Sequence, residues 1–498
     1  MLKKAIVIGS GFAGLSAASF LAKSGWNVTV IEKHNQPGGR ARVLKASGFS
    51  FDMGPSWYWM PDVFERYFEQ FGKKPSDYYT LKRLDPSYRI YWPSDVWDVP
   101  ANYEELKFLF EKLEPGAGKA LDKVMKEAAY KYEVGINKIV FKPGQSWKEF
   151  LDLDIIKGIF KLDVFRSIKS HFSKHFHNPQ IREMMEFPVL FLGALPAKTP
   201  ALYSLMNYAD VKGGTWYPMG GMHSVVMGMY KLAVELGVKF LFGEEVRSMM
   251  VREKKVAGVL VAKNDTLNLH KADVIISGAD YHHTEMDLLV EENRSYDPKY
   301  WHTRVMAPSC LLYYVGISKK IKGLKHHSLF FDVPFAPHAN DIYTSPQWPA
   351  EPLFYVSATS VTDPSQAPEG CENLFFLIPV ATGLMDDTEE LRDEYFNKIL
   401  ARFEERIGET IIDDIVFYKS YAQQDFVDDY HAFKGNAYGL ANTLKQTAVL
   451  KPSIKSKKLD NLYFTGQLTV PGPGVPPSLI SGEVVATLIN KTYQSPIS

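Results

Sequence analysis

The sequence predicts an α/β protein built around one parallel sheet whose strands come from separated parts of the chain. Residues 5–32 have the pattern of a strand, a helix and a second strand, and both strands are apolar runs without alternation. Such runs are typical of parallel strands buried on both faces. Similar apolar runs return at residues 274–277 and 462–465. Because parts of one sheet recur at the beginning, middle and end of the chain, the segments between them are predicted to be insertions.

The composition is that of a folded protein with a large core. The chain has 498 residues, 46% of them hydrophobic, and its 57 basic and 57 acidic residues give a formal net charge of +0. A nucleic-acid-binding domain is expected to be distinctly basic, so no nucleic-acid partner is predicted. Two cysteines, Cys310 and Cys371, are too few for a disulfide framework or a cysteine-based metal site. No run approaches the ~18 apolar residues of a membrane-spanning helix.

The remaining elements follow from hydrophobic periodicity along the chain. The stretch 100–180 is mainly helical in pattern, and 220–237 predicts a helix that begins near glycine pairs. Short strands are predicted at 239–241, 249–252, 256–261, 310–315 and 374–378, and further helices at 14–23, 388–407 and 478–489.

A G-x-G-x-x-G motif at residues 9–14 predicts a dinucleotide site, because it follows a strand, opens a helix and precedes Glu32 at the end of the next strand. Gly9 permits the tight turn, Gly11 lets a pyrophosphate approach the backbone, and Gly14 brings the helix against the strand. The helix N-terminus presents unpaired N–H groups to the phosphates. Glu32 is expected to accept hydrogen bonds from ribose hydroxyls and to repel a 2′-phosphate.

A second glycine pair, Gly38-Gly39, stands just after the second strand and is followed by Arg40. Successive backbone N–H groups can form an anion nest there, with the arginine adding positive charge near the phosphates. The alternative is a plain surface turn with a solvated arginine. Proximity to Glu32 makes the anion nest the favoured interpretation.

Together these residues resemble the start of the amine-oxidase-like FAD flavoproteins, and within them the bacterial-type phytoene (carotenoid) desaturase family. Further blocks of the resemblance follow in chain order at residues 52–56, 217–221, 435–439 and 461–476, and the last is the most specific. The resemblance implies an α/β fold with an interrupted Rossmann-like FAD-binding domain, a mixed-sheet substrate domain and a helical membrane-facing insertion. The FAD-binding domain is predicted from residues 1–85, 206–290 and 441–498, the helical insertion from 86–205 and the substrate domain from 291–440.

The resemblance also implies which residues hold FAD. They are Gly9, Gly11, Phe12, Ala13, Gly14, Glu32, Lys33, Gly38, Gly39, Arg40, Gly54, Pro55, Ser56, Val246, Gly466, Gly474 and Val475. The tail assignment has support from the residues themselves, because glycine leaves bare backbone for close approach to a planar ring. The helix that begins near Ser478 is expected to point its positive end at the ring edge.

The implied activity is an FAD-dependent desaturation of phytoene, in which a hydride passes to flavin N5 and a proton is lost. One alternative is a desaturase that acts on a later hydroxylated or cyclised carotenoid, or on dehydrosqualene. Two others are a flavin-containing amine oxidase and a non-catalytic lipid-binding flavoprotein. No second nucleotide motif follows a strand, so oxygen or a quinone, rather than NAD(P)H, is the expected electron acceptor.

An insoluble polyene substrate implies contact with a membrane and an apolar passage, for which the residues between 187 and 206 offer apolar side chains. Residues 155–177 interleave aromatic and aliphatic side chains with five lysines and arginines, opposed by Asp163 alone. That pattern is typical of an amphipathic helix on anionic lipid; the alternative is a surface helix with a solvated basic face. No secretory signal precedes the first strand, and the predicted location is cytoplasmic, at the inner face of the cell membrane.

Glu149 is the candidate proton acceptor, because residues 146–149 resemble the serine–aromatic–basic–acidic block of the desaturases. The alternative is an acid that stabilises the start of a helix. His171 and His175 are four residues apart, but the H-E-x-x-H pattern is missing, so no metal site is predicted. The oligomeric state does not follow from the sequence.

Overall fold

The computed structural model describes residues 2–150, 163, 166–193, 195–264 and 266–494. The strands are β1 (Lys4–Ile8), β2 (Asn27–Glu32), β3 (Val43–Ala46), β4 (Phe49–Asp52), β5 (Leu81–Arg83), β6 (Tyr88–Tyr91), β7 (Val96–Val99), β8 (Trp216–Pro218), β9 (Lys239–Phe242), β10 (Glu245–Arg252), β11 (Lys255–Lys263), β12 (Thr266–His270), β13 (Val274–Ser277), β14 (Ser309–Ile317), β15 (His327–Phe330), β16 (Phe354–Ser357), β17 (Glu372–Val380), β18 (Ile415–Tyr421) and β19 (Leu462–Phe464). The helices are α1 (Phe12–Lys23), α2 (Pro61–Glu69), α3 (Tyr103–Leu113), α4 (Ala117–Val134), α5 (Ile168–Ser173), α6 (Pro179–Glu186), α7 (Leu205–Tyr208), α8 (Met222–Glu235), α9 (Tyr281–Met286), α10 (Pro298–His302), α11 (Phe335–Tyr343), α12 (Glu389–Ile407), α13 (Gln423–Tyr430) and α14 (Val475–Gln494).

A five-stranded parallel sheet has the order β19-β13-β1-β2-β9. Its strands come from the beginning, middle and end of the chain, which confirms the predicted interruption. Ile275 of β13 pairs with Ile6 on one side and with Leu462 on the other. The central side chains are fully buried, as their unbroken apolar runs predict.

The last helix, α14, packs against the first, α1, and so joins the two ends of the chain. A side chain at Gly482 would meet the Ala13 carbonyl oxygen at 2.4 Å, so the two helix backbones approach closely there. The Ser16 hydroxyl donates to the Leu479 carbonyl at 2.7 Å across the same contact. This packing holds the glycine-rich turn and the C-terminal loop next to each other.

A seven-stranded mixed sheet, in the order β18-β14-β17-β16-β15-β6-β7, forms the second half of the molecule. Only the pairing of β15 with β6 is parallel. Strand β14 is buried along its whole length, and α12 packs its buried side chains into the core on one side of this sheet. The predicted mixed sheet is thereby confirmed, while its role as a substrate domain stays a prediction.

Strands β6 and β7 show how far this sheet extends. They lie within residues 88–99, inside the segment that the sequence assigns to the helical insertion, and they occupy one edge of the mixed sheet. The domain boundaries themselves stay a prediction. Helices α3 to α6 agree with the predicted helical content of residues 100–180.

The predicted membrane-facing segment, 155–177, lies in large part outside the described residues, which omit 151–162, 164 and 165. Its described portion includes the short helix α5. Across the described ranges, no helix combines the length and the apolar character needed to cross a bilayer.

Candidate active site

A cavity of about 310 Å³ lies at the carboxyl ends of the parallel strands, between them and the mixed sheet. Four of its wall residues mark where a strand of the parallel sheet ends: Ile8, Glu32, Gly278 and Thr465. In open α/β sheets this edge is where ligands bind. The position of the cavity therefore follows from the sheet topology.

The turn between β1 and α1 forms one wall of the cavity and needs glycine for steric reasons. Gly9 has φ of +91°, and a Cβ at Gly14 would lie 2.1 Å from the Gly9 carbonyl oxygen. Helix α1 begins with Gly11 as its N-cap, and no side chain caps it. Its first N–H groups are thus available to an anion at the cavity wall.

Glu32 ends β2 with its side chain almost fully buried, at 5% exposure. One carboxylate oxygen accepts hydrogen bonds from Ser10 N and Ser10 Oγ, both at 2.8 Å, and the other accepts from His34 N at 3.0 Å. A carboxylate has about four acceptor positions, so capacity remains for hydroxyls in the cavity. Such free acceptor positions suit the hydroxyls of a ribose.

The second glycine pair packs directly on the first turn. Gly38 N donates to Ser10 O at 3.0 Å, and a Cβ on Gly39 would lie 3.3 Å from the Gly11 Cα. Both residues have positive φ, +126° and +55°. The two turns therefore make one continuous backbone cradle, which a side chain at several positions would fill.

Arg40 places a buried positive charge at this cradle. Its Nη2 donates to the Asn436 carbonyl at 3.1 Å, while its Nε is buried without a partner among the described residues. Burial lowers the pKa of Arg40, and the nearby Asp280 carboxylate opposes that effect. A buried donor with no acceptor is expected to be satisfied by a ligand, and a diphosphate fits both the donor and the cradle.

The C-terminal loop and the mixed sheet complete the cavity wall. Gly466 and Gly474 have φ of +107° and +109°, which leaves bare backbone at the wall, and α14 begins at Val475. Gly466 lies next to the first turn of α1, since a Cβ on it would be 3.8 Å from the Ala13 Cβ. The mixed sheet contributes less polar side chains from β14 and β17, which are Cys310, Leu312 and Leu377. A polar backbone cradle together with an apolar wall suits a cofactor that has a diphosphate and a planar ring, as FAD has.

Comparison with known proteins agrees with this geometry. Residues 12–490 match the sequence model of flavin containing amine oxidoreductases. The chain is also 43% identical to the carotenoid 3,4-desaturase of Haloarcula japonica, over 96% of both chains. It belongs to the carotenoid desaturases within the flavin-containing amine oxidoreductase family. It is thus an FAD-dependent oxidoreductase that acts on CH–CH bonds, and the features of its cavity fit FAD.

Other carotenoid desaturases and flavoproteins are similar over nearly the whole chain. The zeta-carotene-forming phytoene desaturase of Myxococcus xanthus is 30% identical over 97% of this chain and 93% of its own. Among solved structures, an oxidoreductase from Methanosarcina mazei aligns with a TM-score of 0.62 at 16% identity, covering 97% of this chain and all of the other. Putrescine oxidase aligns with a TM-score of 0.60 at 13% identity, covering 99% of each chain. These structures support the fold.

All of the predicted cofactor residues except Ser56 line the cavity of this desaturase. Ser56 follows Pro55 immediately, and its Oγ accepts a hydrogen bond from the Tyr355 hydroxyl at 2.9 Å. Their individual roles toward FAD stay predictions.

Sequence reasoning missed several wall residues. They include His34, Glu244, Glu245, Gly278, Asp280, Asp429, Tyr430 and Gln467. The signal for Gly278 was present, because it directly follows a predicted strand of the parallel sheet. Tyr430, whose ring lies 5.1 Å from the Arg40 guanidinium, ends a helix far along the chain and had no local signal.

The Glu149 carboxylate does not line the cavity. It accepts hydrogen bonds from the backbone N–H groups of Gly144, Gln145 and Ser146 at 2.8, 3.0 and 3.1 Å. This geometry matches the alternative role, that of an acid at the start of a short helix. As the proton acceptor of the desaturase, Glu149 stays a prediction.

One group among the described residues brings three potential metal ligands together. Atoms of Glu127, His171 and His175 lie within 4.8 Å of one another. Burial, and after it the positive charge of the neighbouring Lys131, lower the pKa of His171 to about 3. The predicted absence of a metal site stays a prediction.

Proposed function

We propose that this protein desaturates the 3,4-bond of an already conjugated carotenoid. The observation that carries the proposal is the 43% identity to a carotenoid 3,4-desaturase over 96% of both chains, against 30% to a phytoene desaturase. The chemistry is consistent, because a cation left by hydride removal is stabilised when the polyene is conjugated. The protein then has to bring one carbon within reach of the oxidant.

The cavity residues have distinct tasks in this reaction. When bound, FAD supplies a two-electron acceptor that takes a hydride at N5. Glu32 would hold the adenosine ribose, and Arg40 would neutralise the diphosphate. Leu312 and Leu377 would exclude water and position a polyene carbon beside the ring.

A desaturase of phytoene is the second candidate. The similarity to the Myxococcus xanthus enzyme supports it, as does 30% identity to 4,4'-diapophytoene desaturase of Staphylococcus haemolyticus over 96% of this chain. The second relative also keeps a shorter, dehydrosqualene-like substrate among the alternatives. In each case the same cavity and the same cofactor would serve.

Substrate conversion separates the candidates. FAD-loaded protein is mixed anaerobically with liposomes that carry either lycopene or phytoene, and the flavin and pigment spectra are recorded. We expect lycopene to bleach the flavin and to shift to longer wavelength, because a new double bond extends its conjugation, while phytoene remains unchanged. Conversion of phytoene alone would replace the first candidate by the second. Bleaching by putrescine, with neither polyene active, would contradict both.

The proposal also includes oxygen or a quinone as the terminal electron acceptor and peripheral binding to a membrane. An insoluble substrate favours peripheral binding to the inner face of the cell membrane, and the absence of a second nucleotide motif favours oxygen or a quinone. Reoxidation of the reduced protein by each acceptor, followed at the flavin absorbance, identifies the faster one. Faster reoxidation by NAD(P)+ than by either would contradict this part.

A further inference from the structure

Three potential metal ligands meet where α4 and α5 approach each other. Atoms of Glu127, His171 and His175 lie within 4.8 Å of one another. Glu127 belongs to α4, His171 belongs to α5, and His175 follows that helix by two residues. We call these three side chains the histidine–glutamate cluster. The sequence predicts no metal site because the H-E-x-x-H pattern is missing, but the acidic residue of the cluster comes from another helix.

His171 is the buried member of the cluster. Its side chain is 0% exposed, and neither ring nitrogen has a hydrogen-bond partner among the described residues. Its Nε2 faces the Glu127 carboxylate at 4.0 Å, and its Nδ1 faces the Asp163 carboxylate at 3.5 Å. Each distance is longer than an ordinary N–H···O hydrogen bond. Because buried polar atoms are nearly always satisfied, both nitrogens require an explanation.

A metal ion between the two helices would satisfy the first nitrogen. Zinc binds imidazole nitrogen and carboxylate oxygen at about 2.0–2.2 Å, so two ligand atoms of a tetrahedral site lie about 3.3–3.6 Å apart. Glu127 and His175 are half-buried, so their side chains can rotate to that spacing. A water molecule can take the fourth position.

Asp163 accounts for the second nitrogen. A metal-bound histidine usually donates its other N–H to a carboxylate, which fixes the tautomer and the orientation of the ring. The Asp163 carboxylate lies at His171 Nδ1, and Arg166 Nη1 holds the same carboxylate at 3.3 Å. With its hydrogen on Nδ1, the imidazole presents the lone pair of Nε2 to Glu127.

One further segment of the chain holds both sides of the cluster in place. Ile168 N, at the start of α5, donates to Thr199 O at 2.9 Å, and Ala201 N donates to Arg166 O at 2.7 Å. From α4, the buried Lys131 donates through Nζ to Ala201 O at 3.0 Å. The same segment therefore contacts both helices, and the ligands are positioned before an ion binds.

The surroundings of the cluster favour some cations over others. Lys131 lies one helical turn after Glu127 in α4, and Lys174 directly precedes His175. These positive charges oppose Mg²⁺ and Ca²⁺, which need a shell of oxygen ligands and are held mainly by carboxylate charge. Two imidazoles and one carboxylate instead suit zinc and similar transition-metal ions.

We propose, against the sequence-based prediction, that the histidine–glutamate cluster binds one zinc ion or a similar divalent transition-metal ion. The ion links α4 to the described end of the basic, apolar-rich segment 155–177. Its role is structural, because it joins two helices that are distant from the FAD cavity in the chain. The site is independent of the proposed desaturase function.

Zinc titration of metal-free, FAD-loaded protein tests the site. We expect wild type to bind one zinc ion in competition with a chromogenic chelator, and Co²⁺ to give the visible absorption of a four-coordinate site in difference spectra. Glu127→Gln and His175→Asn should each weaken zinc binding at least tenfold, because each removes a ligand. Asp163→Asn should weaken it about tenfold and leave the stoichiometry unchanged, as loss of an outer-shell partner does.

His177→Asn and Glu133→Gln are the matched controls, one near each set of ligands. Both side chains are exposed and lie outside the cluster. We expect the zinc affinity of each control to stay within about twofold of wild type. FAD content and Tm without zinc show whether each variant folds. Glu127 and His175 keep solvent contact, so their variants remain informative if His171→Asn does not fold.

Thermal unfolding gives a second readout. Zinc should raise the Tm of wild type by at least about 2 °C, an increase that EDTA reverses and that Glu127→Gln lacks. Wild type with a zinc Kd weaker than about 100 μM would overturn the proposal. Ligand variants that bind zinc as tightly as wild type, or controls that lose as much affinity, would do the same. None of these measurements depends on polyene conversion, so failure of the metal site is distinguishable from failure of the desaturase function.

Discussion

At the scale of single residues, two positions of the same motif, Gly11 and Gly14, require glycine for different physical reasons. A Cβ on Gly14 would lie 2.1 Å from the Gly9 carbonyl oxygen, whereas a Cβ on Gly11 would meet nothing nearer than the Gly38 carbonyl at 3.9 Å. Gly11 also has an ordinary extended backbone, with φ of −70°. The protein itself therefore excludes a side chain at position 14, whereas at position 11 we expect bound FAD to exclude one.

We expect Gly11→Ala and Gly14→Ala to fail in different ways. Gly11→Ala should fold with a Tm within about 2 °C of the wild-type apoprotein but bind FAD at least tenfold more weakly. Gly14→Ala should lose about 1–3 kcal/mol of stability or more, because backbone atoms have to move. Thermal unfolding without FAD and FAD titration test both. Equal losses of stability in the two variants would contradict this distinction.

Burial of Lys451 is expected to lower the stability of the folded protein near pH 7, and a substitution at this residue can measure the effect. It is 5% exposed, its Nζ has no hydrogen-bond partner among the described residues, and burial lowers its pKa to about 7. In the unfolded chain a lysine titrates near 10.4. Between these values the unfolded state binds more protons, so stability should rise as the pH increases from about 7 to 10.

Lys451→Met should therefore stabilise the protein at pH 7 and flatten this rise. The reason is that an unpaired buried ammonium is replaced by an apolar side chain of similar length. Chemical denaturation at several pH values provides the measurement, with the exposed Lys458 changed to Met as the control. A steeper pH dependence in Lys451→Met than in wild type would show that the lysine is paired in the folded state.

At the scale of elements, the contact between α1 and α14 brings the C-terminal part of the cavity wall to the glycine-rich turn. The α1 and α14 backbones meet at Gly482, and an ion pair between Arg66 and Glu483 joins α2 to the same helix, with N–O distances of 2.6 and 2.7 Å. Through this packing, the C-terminal loop with Gly466 and Gly474 reaches the turn that begins α1. The apolar periodicity of each helix predicts that it is a helix, but it does not identify the partner.

Gly482→Ala should weaken this contact. Its Cβ would lie 2.4 Å from the Ala13 carbonyl and 2.6 Å from the Ser16 Cβ, so α14 has to move away from α1. We expect a loss of stability of about 1–3 kcal/mol, together with weaker FAD binding. Thr487→Ala, at an exposed position of α14, is the control and should change neither. Unchanged FAD affinity in Gly482→Ala would show that α14 does not position the loop.

At the scale of the whole molecule, two sheets enclose one cavity, and an insoluble substrate has to reach it. The sequence places a strongly basic, apolar-rich segment at residues 155–177, of which 155–162, 164 and 165 lie outside the described residues. Its composition is that of segments that bind anionic lipid. The interaction of the molecule with a membrane can therefore be tested on the intact protein.

We expect the protein to sediment with liposomes that contain anionic lipid, and less so as salt increases, because screening weakens charge attraction. Changing Lys157, Lys161 and Lys169 to Glu should reduce the sedimented fraction several-fold. The matched control changes three exposed lysines elsewhere in the chain, Lys299, Lys322 and Lys419, to Glu. Protein that remains in the supernatant with anionic liposomes at low salt would contradict the peripheral binding.

Local patterns in the sequence were sufficient to predict the nucleotide-binding turn, the strands of the parallel sheet and the family. The glycine turn, Glu32 and Arg40 could be predicted as parts of one site, because each depends on backbone conformation or charge within one strand–turn–helix unit, and they line one cavity. The strands of the parallel sheet were predicted because burial on both faces demands unbroken apolar runs. The family followed from blocks of residues in chain order.

Only the tertiary structure decided which distant residues complete the site. Tyr430 at Arg40, the α1–α14 contact and the hydrogen bond from Tyr355 to Ser56 each join residues hundreds of positions apart. The signal of such a contact is spread over two segments that each look ordinary. Glu149 is a different case, because its carboxylate accepts hydrogen bonds from its own turn, and only the structure shows that it does not line the cavity. Periodicity records which face of an element is buried, whereas the partner on that face is selected by packing of the whole chain.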